Sequence, residues 1–116
     1  MKVSFEGAGE MLLSFMNASG NSAAKAGFPA KMSASNTVAV CAADDRFCGV
    51  CIHADAAHAD VQLKGYVECK YSGTAPSVGY ATLLAAADGK VAADEDGAEY
   101  LVLKVDTTNS IVGFIM

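Results

Sequence analysis

The 116-residue sequence predicts an all-β protein, a small antiparallel β-barrel or sandwich with a C-terminal meander. Three features point that way. Short runs rich in β-branched and aromatic residues repeat from Thr37 to Met116, divided by turns that carry glycine. The longest run, Val61 to Tyr71, puts Val61, Leu63, Val67, Cys69 and Tyr71 on one face and Gln62, Lys64, Tyr66, Glu68 and Lys70 on the other. That period of two is the mark of a half-buried strand. The last run, Ser110 to Met116, reaches the final residue, so the end of the chain is itself spent as a strand.

In chain order, Lys2 to Glu6 and Met11 to Phe15 read as strands around Gly7-Ala8-Gly9, although Glu10 to Met16 also fits a helical turn. Asn17 to Gly27 mixes Ser, Gly, Asn and Ala without periodicity and reads as a flexible connection (about 17–27) ahead of Phe28 to Met32. Strands follow at Thr37 to Ala42, Phe47 to His53, Val61 to Tyr71, Gly79 to Leu84, Lys90 to Ala93, Glu99 to Val105 and Ser110 to Met116. Gly65 interrupts the apolar face of the longest one, where a missing side chain permits a bend or bulge and lets the sheet curl toward closure. Asp88-Gly89 suits a type I′ hairpin, and Asp94-Glu95-Asp96-Gly97 and Thr107 to Ser110 join the runs after it, giving the meander. No internal repeat is evident.

A chain of this length forms a single domain, 1–116, and buries about two-thirds of its unfolded surface without metals or disulfides. Of its residues 53% are hydrophobic, yet 22 are alanine and none is tryptophan, so the core is thin. Thirteen acidic against eight basic residues leave a net charge of -5, which disfavours nucleic acid and anionic lipid as partners. The start of the chain shows neither a signal-peptide apolar stretch nor a cleavage site, and no run approaches 18 apolar residues. The expectation is a soluble protein made in the cytoplasm, with its four cysteines as reduced thiols and no membrane partner.

Cys48-Gly49-Val50-Cys51, followed by His53, His58 and Cys69, has the residue types of a zinc site. Its geometry argues against one, because a strand over Phe47 to Ile52 sends Cys48 and Cys51 to opposite faces, and no second C-x-x-C or H-x-x-x-H completes the set. Small buried hydrophobes are the plainer reading, with Cys69 in the core. His53-Ala54-Asp55 recurs five residues on as His58-Ala59-Asp60, a separation that suits neither one helix face nor one strand face, so a solvated loop accounts for it. No nucleophile elbow accompanies these histidines, and no catalytic, metal-binding or cofactor-binding residue is assigned. Asp94 to Gly97 lacks the later glutamate of a calcium loop and reads as a charged hairpin tip, while Gly7-Ala8-Gly9 is too short for a phosphate loop. Ile111, Val112, Phe114, Ile115 and Met116 are apolar on both faces, which calls for cover on both sides. That cover is a central position in the barrel or contact with another subunit, and exposed Tyr100 and Val102 on the neighbouring strand would extend such a patch.

Lys2-Val-Ser-Phe-Glu-Gly7, Phe28-Pro-Ala-Lys-Met-Ser33, Asn36-Thr-Val38, Asp45-Arg-Phe-Cys-Gly-Val50, Val61-Gln-Leu-Lys-Gly-Tyr-Val67, Tyr71-Ser-Gly-Thr-Ala-Pro76, Gly79-Tyr-Ala81 and a Tyr100-Leu-Val102 to Asp106 ending follow one another along the chain. This order resembles that of small phage-encoded or prophage-encoded capsid proteins of the head-decoration type, over nearly the whole chain, through turn glycines and strand spacing. The segment similar to Phe47-Cys48-Gly49-Val50 is Phe-x-Gly-Val in that family, which makes Cys48 and Cys51 ordinary strand positions. The lambda-type decoration protein departs from the pattern in its N-terminal arm. The resemblance implies a structural, non-enzymatic role: a homo-oligomer, a trimer by analogy, on the outer surface of an assembled head in the virion, binding the major capsid protein after synthesis in the bacterial cytoplasm. Many weak symmetric contacts would then brace the shell by multivalency. Two other classes are a β-scaffold module recognising a surface glycan or protein through Tyr66, Tyr71 and Tyr80, and a cysteine/histidine metal or redox protein.

Overall fold

The computed structural model describes residues 9–116, so the strand expected over Lys2 to Glu6 lies outside the described residues. The chain is all-β, and the described residues form ten strands and two single-turn 3-10 segments, Gly20–Ser22 and Ala87–Gly89. The first five strands are β1 (Met11–Asn17), β2 (Pro29–Ala34), β3 (Thr37–Val40), β4 (Gly49–Ala54) and β5 (His58–Lys64), and they close into a barrel in the order β1-β3-β2-β4-β5. The other five are β6 (Tyr66–Lys70), β7 (Gly79–Ala85), β8 (Val91–Ala93), β9 (Ala98–Asp106) and β10 (Ile111–Ile115), forming a second sheet in the order β6-β10-β9-β7-β8. No helix among the described residues is long and apolar enough to cross a membrane.

Barrel closure rests on β1, which pairs antiparallel with β5 from Leu12↔Gln62 to Met16↔His58 and parallel with β3 through Met16↔Thr37 and Asn17↔Val38. A parallel pair needs a crossover, and the Ala18 to Phe28 connection together with β2 supplies it. Asn17 ties that connection down: its Oδ1 accepts from the Ala24 N–H at 2.8 Å, and its Nδ2 donates to the Ala24 and Asp55 carbonyls at 3.3 and 3.0 Å. Ala24 is thereby held in the barrel core with Ala30, Val38, Cys51, Ala59 and Val61. A five-stranded barrel is narrow, and small side chains fill it, which is where part of the alanine content goes.

The run Val61 to Tyr71 is two strands in two different sheets. Gly65, at φ +101°, turns the corner between them, and its N–H and C=O bond the backbone of Met116. Gln62, expected on the polar face, is instead only 6% exposed. Its Nε2 donates to the carbonyls of Lys64 and Tyr66, both at 3.1 Å, and so staples the two sides of the corner together. Gln62→Leu leaves both carbonyls without this donor, and a loss of about 1–3 kcal/mol is expected, read from the urea midpoint at unchanged m.

The C-terminal strands are antiparallel throughout, but their order is not consecutive: β8 and β9 are not neighbours, and β9 instead pairs with β7 from Gly79↔Val102 to Leu83↔Ala98. The Asp94 to Gly97 turn therefore passes across β7 instead of closing a hairpin. The β7–β8 connection behaves as its Asp-Gly pair requires, with Asp88 at φ 62° and Gly89 at φ +75°. Beyond β6, Tyr71 forms a parallel bridge with Val91 and the Ser72 N–H donates to the Val91 carbonyl at 2.9 Å, so the second sheet curls until its two edges touch at one end.

Its core is built from larger side chains: Val67, Cys69, Tyr71, Leu83, Val91, Val102, Val112 and Phe114, joined by Cys41, Phe47 and Val50 from the first half of the chain. Phe47 stacks on Tyr100 (centroids 5.3 Å apart, planes 11° apart) and meets Phe114 edge-on at 6.0 Å. Neighbouring residues of β4 thus serve different cores, Val50 this one and Cys51 the barrel, and that strand welds the lobes together.

Candidate functional site

The thiols and imidazoles do not converge. Cys48 is exposed in the bend just before β4, while Cys51 is fully buried in the barrel, its Sγ 3.4 Å from the His53 carbonyl. Cys69 is buried in the second core. No three His, Cys, Asp or Glu side chains gather in a metal-holding cluster among the described residues. Burial pushes the Cys41 and Cys69 thiols up to about 12, with the Asp45 and Glu68 carboxylates respectively adding to it. Desolvation also raises Cys48 and Cys51. A thiol held protonated is a poor nucleophile and a poor metal ligand. With a disulfide reagent on the native protein, Cys48 is expected to react first, and Cys51 and Cys69 only on unfolding; equal rates for all four would contradict this burial pattern.

His53 and His58 flank the tip of the β4–β5 hairpin on strand positions, so only Asp55 to Ala57 is loop. Asp55 Oδ1 accepts from the N–H groups of Ala57 and His58 at 2.9 and 2.8 Å, which holds its carboxyl below the usual range and shows a turn-forming role for it. In the acidic turn Asp94 Oδ1 accepts from the Asp96 N–H at 2.9 Å, and Arg46 Nη2 donates to the Asp96 carbonyl at 2.9 Å.

Two sequence expectations about exposed side chains are corrected. Val102 is 1% exposed and Tyr100 packs against Phe47 and Phe114, because both point into the second core and extend no outer patch. Tyr71 is buried as well, and Tyr66 donates its hydroxyl to Glu68 Oε2 at 2.8 Å; of the three tyrosines considered as contacts, only Tyr80, at 73%, stands out in solvent. The C-terminal strand is covered on its Val112 and Phe114 face by the core and sits between β6 and β9, leaving Ile115 partly exposed.

The exposed apolar surface lies elsewhere. Met11, Leu12, Leu13 and Met16, four of the seven residues of β1, are 43–57% exposed, and Met32 and Ile52 add to the barrel lobe. Single exposed hydrophobes are ordinary, whereas four on one strand concentrate the exposed apolar surface there. The sequence carried that signal in Met11-Leu12-Leu13, read there as a strand or a helical turn and not as a surface. No match to a known protein family, to a curated protein or to a solved structure was found for this chain.

Proposed function

We propose that the protein is a structural component of a phage or prophage head, a decoration protein that binds the outer surface of the assembled shell and stabilises it. The observation that carries this reading is the apolar β1, with Leu12 and Met16 at 48% and 57% exposure on a body whose two cores are filled by packed side chains. The order of turn and strand motifs that resembles head-decoration proteins supports it, as does a net charge of -5, which suits the outside of a capsid better than its DNA-filled interior. Affinity on a lattice comes from repeated shallow contacts, so a homo-oligomer, a trimer by analogy, needs only a modest patch per copy.

Co-sedimentation with assembled heads of the phage or prophage that encodes the protein tests the reading. The protein is expected to pellet with heads at a fixed ratio to the capsid subunit, and the pair Leu12→Lys and Met16→Lys to abolish pelleting. Absence of any pelleting by the folded wild type would refute it. A second reading is favoured by one observation, the exposure of Tyr80 (73%) beside Val78 (68%) at the start of β7: a module that recognises a surface glycan or protein. Glycan binding lost in Tyr80→Ala, without head association, would select that reading.

A further inference from the structure

We infer that the outer face of the second sheet is a twofold contact with a second copy of this chain. The inference does not rest on the capsid reading, and the contact lies on the other lobe from the exposed β1. It is carried by register. Tyr80 on β7 pairs with Leu101 on β9, Leu101 with Ile115 on β10, and Ile115 with Tyr66 on β6, so four large apolar or aromatic residues stand in one row across the sheet. Tyr100, Val102, Val112 and Phe114 face the core, and by alternation this row faces outward. Tyr80 is 73% exposed in the 116-residue chain, Ile115 is exposed and Leu101 is half-buried.

The rows on either side are polar. One holds Thr82 and Glu99, which pair across β7 and β9. The other holds Lys104, Gly113 and Glu68 across β9, β10 and β6, because a bulge at Leu103 returns Lys104 to the outer face. Gly113 leaves room there for the Tyr66 ring, whose hydroxyl donates to Glu68 Oε2 at 2.8 Å. The outer face of an antiparallel sheet is ordinarily polar, so one apolar row between two polar ones is the departure that calls for cover.

Charge selects the occupant. Glu99 precedes Leu101 by two positions and Lys104 follows it by three, which the bulge reduces to the same distance along the strand. A twofold axis running along the apolar row lays Tyr80, Leu101 and Ile115 on their own counterparts and turns β9 antiparallel to its copy. Glu99 of each chain then meets Lys104 of the other. Both are exposed, Glu99 makes no ion pair among the described residues, and Lys104 holds Glu68 only at 3.4 Å. A net charge of -5 opposes self-association in general, so opposite charges matched across the axis are what a second copy requires. At about 4.8 Å between strands and about 3.3 Å per residue, four strands by five residues cover roughly 300 Å² per copy, against about 800 Å² for a standard interface. The pair is therefore weak, with a dissociation constant of about 0.1 mM.

Sedimentation equilibrium and NMR on the full chain, from about 10 µM to about 1 mM, test this. The wild type is expected to pass from monomer to dimer over that range, with concentration-dependent shifts at Tyr80, Glu99, Leu101, Lys104 and Ile115. Glu99→Lys and Lys104→Glu each set like charges across the axis and should weaken association at least about tenfold, whereas an equimolar mixture of the two variants should restore it. Tyr80→Lys, at an exposed position, should keep the dispersed spectrum and stay monomeric. If Lys104→Glu fails to fold, Glu99→Lys and Tyr80→Lys still decide. A wild type that is monomeric at about 1 mM would leave the row to another occupant and overturn the inference. So would a dimer whose shifts fall on β1, an affinity that Glu99→Lys leaves unchanged, or a mixture that associates no better than its folded parts.

Discussion

Phe114→Ala is expected to destabilise the protein by about 3–5 kcal/mol, a large share of the 5–15 kcal/mol typical of a domain. Phe114 has no exposed surface and sits at the centre of the second core, where its ring lies 5.1 Å from Tyr100 and 6.0 Å from Phe47. Truncation removes both ring contacts, each worth about 0.5–1.5 kcal/mol beyond its area, and leaves a void that the surrounding strands cannot close. Phe47 belongs to the segment before β4, so the same cavity loosens the weld between the lobes. Ile115→Ala, one residue on and 38% exposed, should cost less than about 1 kcal/mol. Urea unfolding of the two variants reads the difference, and equal losses would mean that the aromatic cluster is not the centre of stability.

Gly97→Ala is expected to be nearly as damaging, about 3 kcal/mol, at the upper end of overpacking penalties. The turn from β8 crosses β7 at Leu83, and a Cβ on Gly97 would overlap the Leu83 carbonyl oxygen and carbon and approach its nitrogen to 2.8 Å. Those atoms belong to a strand paired on both sides, with Leu83↔Ala93 and Leu83↔Ala98, so the backbone cannot yield without breaking a ladder. Gly113→Ala offers the contrast, since its Cβ would meet the hydroxyl end of Tyr66, and a side chain can swing away at the cost of the bond to Glu68. Thermal midpoints should rank wild type, then Gly113→Ala, then Gly97→Ala, and the reverse order of the variants would show that the crossing is not tight.

Most strands were legible because β-branched and aromatic residues alternate with polar ones, and the observed β7, β8, β9 and β10 lie within a residue of their expected limits. What the pattern could not express is which strands are neighbours. Val61 to Tyr71 keeps one phase of alternation through Gly65, so strands of two separate sheets read as one. The turns after β7 and β8 both end in Asp-Gly, yet one closes a hairpin and the other crosses a strand, a difference set by how closely Gly97 approaches Leu83. The parallel β1–β3 pair depends on Asn17 holding Ala24, a side-chain device with no periodicity. On the site, Cys48 and Cys51 are exposed and buried respectively, with Cys48 just outside the strand that was expected to hold both, whereas the inward turn of Tyr100 and Val102 and the exposure of β1 depended on the fold of the whole sheet.

Calorimetric melting of assembled heads, with and without bound protein, tests most directly whether this β body works by bracing a shell from outside. Occupied heads should melt at a higher temperature than bare ones, by a margin that grows with occupancy. Heads that carry the protein at full occupancy and melt where bare heads do would contradict a cementing role.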